Sequence, residues 1–348
     1  MASILVTGGC GYIGSHTALE FLANTPHKIL ILDNLSTGFK ENFDFLYKRY
    51  KERVEFIPLD LSNTPALESF LKDKAGQIQC VLHFAASLIV EESTKNPLLY
   101  YQNNTLNTTN LIQLCIKYQI KNFIFSSTAA VYGEPKGEFE SIDEGFPLEP
   151  INPYGTSKMM SEKVLQDTSK VHDFNYVALR YFNVAGANMT NDLAKEGGLG
   201  QRSKKSTHLI KIAIECASQR REKMGIFGSD YPTPDGTCIR DYIHINDLAS
   251  AHLSAYEYLL DKQESNVFNV GYSRGYSVAE VIKNVKEITK QDFLVENHTR
   301  RAGDPAKLIA NNQKILSLTN WKPRYDDLSQ IIQSAYEWEL YLKSSENA

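Results

Sequence analysis

Tyr154 and Lys158 stand four residues apart in "NPYGTSKMMSEKVL". In a helix, residues at i and i+4 share a face. A free tyrosine loses its proton only near about pH 10, too high for a base at neutral pH; a neighbouring ammonium favours the phenolate and lowers that value. On its own the pair reads more readily as a contact on a helix surface, because the spacing is common. What gives it weight is "FSSTAAVYG", residues 125–133. It places a strand end rich in hydroxyls (Ser126, Ser127, Thr128) a loop ahead of the Tyr/Lys helix. A hydroxyl there can hydrogen-bond a reacting oxygen and orient a proton transfer.

A second candidate comes at the start of the chain. "VTGGCGYIGSHTALEFL" sets Gly8, Gly11 and Gly14 three apart between an apolar run and a helix-like one. Glycines let backbone approach a pyrophosphate, and a following helix N-terminus favours the anion. The spacing is GxxGxxG and reads alone as either a cradle or a tight turn. Its place after a first strand and at the opening of a helix favours the cradle. Asp33 closes the second strand in "ILILDNLS", 19 residues past Gly14. A carboxylate there accepts from ribose hydroxyls and repels a 2′-phosphate, which favours NAD over NADP. Asp60, in "PLDLS", is placed to meet the adenine end; a strand-end turn or helix cap explains it equally well.

These residues need a scaffold, and the apolar pattern predicts one. "SILVTG", "KILILDN", "VEFIPLD", "QCVLHFAA" and "KNFIFSS" read as strands buried on both faces, separated by the helix-like runs "GSHTALEFLAN", "KENFDFLYKRYKE", "TPALESFLKD" and "NTTNLIQLCIKYQ". Such alternation predicts an α/β fold with a doubly wound parallel sheet. A helix from near Asn152 and a sixth strand, "YVALRYFN", follow. "MTNDLAKEGGLGQRSKKS" reads as a loop, and a helix is expected from about Thr207 to Lys223. "HINDLASAHLSAYEYLL" and "NVFNVGY" return to helix and strand, and the tail from Ser277 reads as mainly helical.

Composition narrows the classes. With 348 residues, 42% of them hydrophobic, the chain can bury a sizeable core. A net charge of -4 gives no electrostatic reason to bind nucleic acid or acidic membranes. The five cysteines are scattered without CxxC spacing, which argues against a disulfide framework and a zinc site. No signal peptide or membrane span is legible, so a cytoplasmic protein is expected.

Taken together, "TGGCGYIGSH", "LDNLS", "HFAA", "YYQNN", "FSSTAAVYG", "NPYGTSK", "RYFNVAGA", "DGTCIRDYIHINDLA" and "RRAGD" resemble the extended short-chain dehydrogenase/reductase family, and within it the UDP-glucose 4-epimerases, from the first strand to about Leu308. The resemblance implies a Rossmann domain of residues 1–180, joined by about 237–272, and a substrate domain from 181–236 and 273–348. It implies tightly held NAD, with Gly8, Gly11, Tyr12, Ile13 and Gly14 at the pyrophosphate. Asp33, Asn34, Ser36 and Thr37 would meet the adenosine ribose, Asp60 and Leu61 the adenine. Phe84, Ala85 and Asn103 would flank the cofactor's middle, and Phe182 and Lys158 its nicotinamide end. Tyr154 would take the proton of the sugar 4-hydroxyl while C4 gives hydride to NAD; the 4-keto sugar would turn over and take the hydride back on its other face. Thr128 would hydrogen-bond the oxygen throughout.

For the UDP-sugar, the resemblance points to Asn183, Phe227, Arg240, Arg301, Asp304 and Leu308, with His208 as a diphosphate ligand or a helix cap. Asp241 and Asp247 are expected to serve caps and turns. Leu308 sits where the family places a residue over the sugar's C2 substituent. A tyrosine there resembles enzymes limited to UDP-glucose and UDP-galactose, whereas leucine leaves room for an acetamido group, so activity on the N-acetylated pair is also expected. Leu88 stands where many relatives carry a lysine near the cofactor. A homodimer is expected, with Leu98, Tyr101, Met159 and Met160 in the contact or in the protomer's own core.

The rivals are a nucleotide-sugar dehydratase, an NAD-dependent dehydrogenase and a silent NAD-sensing protein. The dehydratases carry an Asp-Glu pair where this chain has Ala129 and Ala130. The dehydrogenase would need exchangeable NAD, and the sensor would not need Thr128, Tyr154 and Lys158.

Overall fold

The computed structural model describes residues 2–137, 139–188, 197–203, 206–301 and 304–346. Strand and helix alternate through the first half: β1 (Ser3–Thr7), α1 (Tyr12–Asn24), β2 (Lys28–Asp33), α2 (Lys40–Tyr50), β3 (Val54–Pro58), α3 (Thr64–Lys74), β4 (Ile78–His83), two short helices α4 (Val90–Lys95) and α5 (Pro97–Tyr100), a π-turn over Tyr101–Leu106, α6 (Asn107–Lys117), β5 (Asn122–Thr128), α7 (Pro153–Ser169) and β6 (Asn175–Tyr181). These strands and β12 (Asn266–Val270) form a seven-stranded sheet ordered β12-β6-β5-β4-β1-β2-β3. All its pairs are parallel. The strand order reverses between β1 and β4, which opens the crevice of the doubly wound Rossmann fold.

Why these runs form buried strands is visible in their alternation. Ile4 and Val6 of β1, with Ile29 and Ile31 of β2, pack on the face covered by α1 and α2. Leu5, Leu30 and Leu32 face the opposite layer, with Leu67 and Leu71 of α3, Leu111 and Cys115 of α6 and Leu165 of α7. A strand covered on both faces must be apolar at every position. β3 departs from the expectation of a strand buried on both faces: it is the sheet edge, and only Val54 of its five residues is buried.

The second half adds β7 (Asn183–Ala185), the short antiparallel pair β8 (Ala187–Asn188) and β9 (Leu199–Gly200), β10 (Lys223–Phe227), β11 (Ile239–His244), β13 (Gly275–Ser277), β14 (Leu294–His298) and β15 (Lys307–Leu308). Strand β11 lies in a separate four-stranded sheet between β13 and β15, and also pairs with β7. Of the 237–272 segment, it is the helix Ile245–Lys262 that packs on the large sheet and β12 that joins it. The helix expected over 207–223 is shorter, α8 (Leu209–Ala217). Gln219 takes the left-handed φ of 62°, which ends it, and Lys223 already opens β10. Much of the loop expected from Met189 onward lies outside the described residues. Helices Val278–Thr289 and Leu328–Glu346 close the second layer with α8 around Ile214, Val285 and Ile332. All five cysteines are free and buried, and among the described residues no helix is long and apolar enough to cross a membrane.

One contact fixes where α7 begins. Asn152 caps it by accepting from Gly155 N at 2.9 Å, and Pro153 pre-sets the first turn. A Cβ on Gly155 would stand 2.5 Å from the Ala130 carbonyl, so only glycine lets the helix start press against the turn after β5. Gly155→Ala is expected to destabilise the protein by about 2 kcal/mol and to lower activity along with it. Thermal denaturation checks this; an unchanged melting temperature would show that the contact relaxes freely.

Candidate active site

Strand β5 ends at Thr128, whose hydroxyl accepts from Ala130 N at 3.1 Å and opens a tight turn over Ala129–Tyr132. Against this turn α7 presents Tyr154 and, one turn on, Lys158. Burial pushes the Tyr154 phenol up from its usual value, and hydrogen bonding to Thr128 pulls it down. Tyr100 meets the Tyr154 ring edge-on at 6.4 Å. Lys158 is 3% exposed, donates to the Ser126 carbonyl at 2.7 Å and lies 4.8 Å from the centre of the Phe125 ring. Burial pushes its ammonium down to about 7, while the charge of Glu162 works against that loss. The expected trio of Thr128, Tyr154 and Lys158 is therefore assembled where two elements distant in sequence meet. Ala129 and Ala130 put no acid beside it.

Two residues behind the trio escaped the sequence reading. Glu162 lies a further turn along α7, and Arg180 of β6 binds it at 2.6 Å. The signals were present: Tyr154, Lys158 and Glu162 at successive i+4 positions, and an arginine inside the otherwise apolar "YVALRYFN". Asn104 was also missed beside Asn103. Its amide donates to Ser87 O at 2.9 Å and Ser157 Oγ at 3.0 Å and accepts from Ser87 N at 2.7 Å, tying the loop after β4 to α7. Asn103 donates to Ser87 Oγ at 2.9 Å. Both asparagines sit in the π-turn, whose wider register brings neighbouring residues toward that loop.

The glycine turn is built for close backbone approach. A Cβ on Gly8, which has φ of 70°, would stand 2.7 Å from Ala85 N, and one on Gly14 would stand 2.4 Å from Gly8 O. A dinucleotide phosphate fits this bare turn and the free N–H groups that open α1. The Tyr12 hydroxyl donates to Gly186 O at 2.6 Å, so Tyr12 offers the turn its backbone, and Ile13 packs against the core. Asp33 is held by Cys10 N at 2.9 Å and Leu35 N at 2.8 Å, at the end of β2; burial pushes its carboxyl up. Asn34 donates to Asp60 Oδ2 at 2.6 Å and Ser62 N to Asp60 Oδ1 at 2.8 Å, bringing the ends of β2 and β3 together. Asp60 thus serves a strand-end turn, and Asn63 caps α3. Ser36 and Thr37 are exposed beyond β2, Leu61 is buried, and Phe84 and Ala85 follow β4. Exposed Leu88 carries no charge into this region.

On the other side, Arg240 of β11 pairs in register with Leu308 of β15 and lies 3.6 Å from the Asp304 carboxylate. Arg301 covers the Phe227 ring at 3.7 Å, and His298 stacks on that ring at 5.1 Å. Leu308 and Phe182 share one apolar cluster with Ala129 and Tyr132, so the C2-pocket candidate adjoins the turn after Thr128. Asn183 hydrogen-bonds Tyr242. His208 stands at the start of α8 without capping it; its Nδ1 meets the Gln201 amide at 3.0 Å. Tyr231 is a further residue the sequence did not flag: its ring lies 4.2 Å beneath Arg300, and its buried hydroxyl has no hydrogen-bond partner among the described residues. Asp241 accepts from Tyr272 N at 3.0 Å and Ala310 N at 3.2 Å, and Asp247 from Tyr325 N at 2.8 Å; both serve turns.

Lys158 makes a testable contribution to stability. Its folded value is lowered to about 7, below that of an unfolded lysine near about 10.4. Between these values the unfolded chain holds more protons, so stability rises with pH, and the cost of the buried cation is largest below that window. Lys158→Met is expected to stabilise the cofactor-free protein, more at pH about 6 than at pH about 9.5. Denaturant titrations at the two pH values check it, and equal gains would refute it.

Residues 4–271 match the model of the NAD dependent epimerase/dehydratase family. The UDP-glucose 4-epimerase of Azospirillum brasilense is 42% identical over 342 residues, covering 98% of this chain and 93% of that protein. Among solved structures, the UDP-Glc/GlcNAc 4-epimerase of Campylobacter jejuni is 50% identical, with a TM-score of 0.82 over 98% of this chain and 99% of that one. The UDP-glucose-4-epimerase of Stenotrophomonas maltophila, solved with bound NAD and formylated UDP-arabinopyranose, is 31% identical, with a TM-score of 0.90 over 100% of both chains. The glycine turn, Asp33 and the Thr128, Tyr154, Lys158 trio lie at the carboxyl ends of the large sheet's strands or in the elements that follow them, and the chain belongs to the NAD dependent epimerase/dehydratase family.

Proposed function

We propose that this protein is a UDP-glucose 4-epimerase that interconverts UDP-glucose and UDP-galactose and also acts on UDP-N-acetylglucosamine and UDP-N-acetylgalactosamine. The observation that carries the reading is the Tyr154–Lys158 face of α7, with Lys158 buried and Tyr154 hydrogen-bonded to Thr128 at the end of β5. Residues 1–180 with about 237–272 form the cofactor part and 181–236 with 273–348 the sugar-nucleotide part. Gly8, Gly11, Tyr12, Ile13 and Gly14 hold the NAD pyrophosphate; Asp33, Asn34, Ser36, Thr37, Asp60 and Leu61 hold the adenosine; Phe84, Ala85, Asn103 and Phe182 line the rest.

Bound NAD supplies the reversible hydride acceptor for sugar C4. The protein's own work is proton transfer and positioning. Tyr154 takes the 4-hydroxyl proton and returns it. Lys158, one turn on along α7, is the cation that favours the phenolate in this reading, and the hydrogen bond to Thr128 opposes the burial that raises the Tyr154 pKa. Thr128 hydrogen-bonds the reacting oxygen. Asn183, Phe227, Arg240, Arg301 and Asp304 anchor the UDP, and the binding energy of this remote part retains a sugar that must itself be loose enough to turn. The unpartnered hydroxyl of Tyr231, beside these groups, suits a polar atom of the nucleotide. His208 serves in this reading as a further ligand of the diphosphate.

The apolar Leu308 wall supports the N-acetylated pair. Exposed Leu98 and Met160 on neighbouring helical segments support a homodimer, whereas Met159 packs inward with the Ala129 cluster.

The test uses purified protein without added cofactor. UDP-galactose and, separately, UDP-N-acetylgalactosamine are supplied, and the products are separated chromatographically. Conversion of both is expected; no conversion of either, even with NAD restored, overturns the reading. Leu308→Tyr is expected to lower kcat/KM on the N-acetylated pair by about tenfold or more while sparing the plain pair. Equal losses on both pairs would discard the C2-pocket role.

A further inference from the structure

Behind the Tyr154–Lys158 face lies a buried charged pair for which proton transfer at the sugar gives no direct use. Glu162 and Arg180 are each 5% exposed. The guanidinium takes both carboxylate oxygens, Nε to Oε1 at 3.0 Å and Nη2 to Oε2 at 2.6 Å. The Ser127 hydroxyl, next to Thr128, also donates to Glu162. Lys158, meanwhile, donates to Ser126 at 2.7 Å. Two consecutive residues of the β5 end are thus held by two consecutive turns of α7, with Thr128 next in line.

Stability alone does not call for such a pair. Taking each ion out of water costs several kcal/mol, and apolar replacements of buried ion pairs are often neutral or stabilising. A charge this near a buried lysine does have an electrostatic consequence. We propose that Glu162 and Arg180 are a positioning pair that keeps Lys158 cationic and holds the Ser126–Thr128 strand end against it, a role that rests on the proton-transfer reading above.

The groups around the pair are few. Arg180 also donates to Tyr132 Oη at 3.0 Å and to the Glu144 carbonyl at 3.4 Å, and Tyr132 donates to Asn269 at 2.7 Å. Tyr176 faces the pair from β6, and the Glu144 carboxyl and Lys314 face Arg180. His83 faces Lys158, and burial pushes it down to about 3 and so keeps it neutral; Tyr154 lies one turn back along α7. Glu162 is the anion that supports the Lys158 cation.

The sign of each substitution follows. Activity needs Lys158 protonated, so the alkaline limb of kcat reports its titration. Glu162→Gln leaves Arg180 uncompensated and is expected to move that limb down by about one pH unit. Arg180→Gln leaves an unpaired carboxylate and is expected to move it up, while Arg180→Lys leaves it in place. KM for UDP-galactose is expected to stay within about twofold in all three. The same shifts are read without turnover by 13Cε-lysine NMR titration of the protein as isolated, with the Lys158 resonance identified by its loss in Lys158→Met. Shifts of one sign in both Gln variants, or an unmoved Lys158 titration with only a lowered melting temperature, would reduce the pair to scaffolding. If Glu162→Gln does not fold, the contrast between Arg180→Gln and Arg180→Lys decides. Opposite NMR shifts in a protein that converts no UDP-sugar would keep the pair and reject the reaction.

Discussion

A buried lysine that must keep its charge is the constraint on which the proposed site depends. Burial drives Lys158 toward neutrality, and a neutral amine does nothing for a neighbouring phenol. The structure answers with groups that come from several places in the chain. The Ser126 carbonyl receives the ammonium, the Phe125 ring lies beside it, and Glu162 opposes the loss of the proton. Each of these depends on α7 lying flush against the end of β5, and that depends on Gly155 meeting the Ala130 carbonyl without a side chain between them.

The same economy of contact recurs at the other end of the crevice. Gly8 and Gly14 leave no room for a Cβ because the β1–α1 turn is pressed against Ala85 and against itself. Asp33 is aimed by two backbone N–H groups, so its direction is set by the turn that precedes α1 and by the loop after β2. A bare backbone turn that opens a helix is a ready cradle for an anion. The region around β10, β11 and β15 is built differently, from arginines, aromatics and carboxylates on short strands and the loops beside them.

Between the two sides runs the apolar cluster of Ala129, Tyr132, Phe182 and Leu308. It joins the turn after Thr128 to β15, whose register with β11 puts Leu308 beside Arg240. The residue proposed to set the size of the sugar pocket is thereby tied to both the turn after Thr128 and Arg240. A change in its volume is felt by a packed wall and not by a free loop.

The sequence by itself determined the alternation of elements, the glycine turn, Asp33 and the Thr128, Tyr154, Lys158 trio, because each rests on local chemistry: apolar runs, helix periodicity, residue types at short spacing. It also carried enough motifs for the family to be legible before any contact was known. It did not show that β3 lies at the sheet edge, that β11 leaves the large sheet, or that the helix after Thr207 ends by Ala217. Those outcomes depend on which strands pair and where a residue such as Gln219 can adopt a left-handed turn. Glu162, Arg180, Asn104 and Tyr231 were equally hidden, although each is plain in the chain. Their meaning lies in partners on other elements, Ser127, Ser87 and Arg300 among them, and only the folded chain brings those partners together. Local order reads out of neighbours in sequence, whereas the charge of a buried group is decided by neighbours in space.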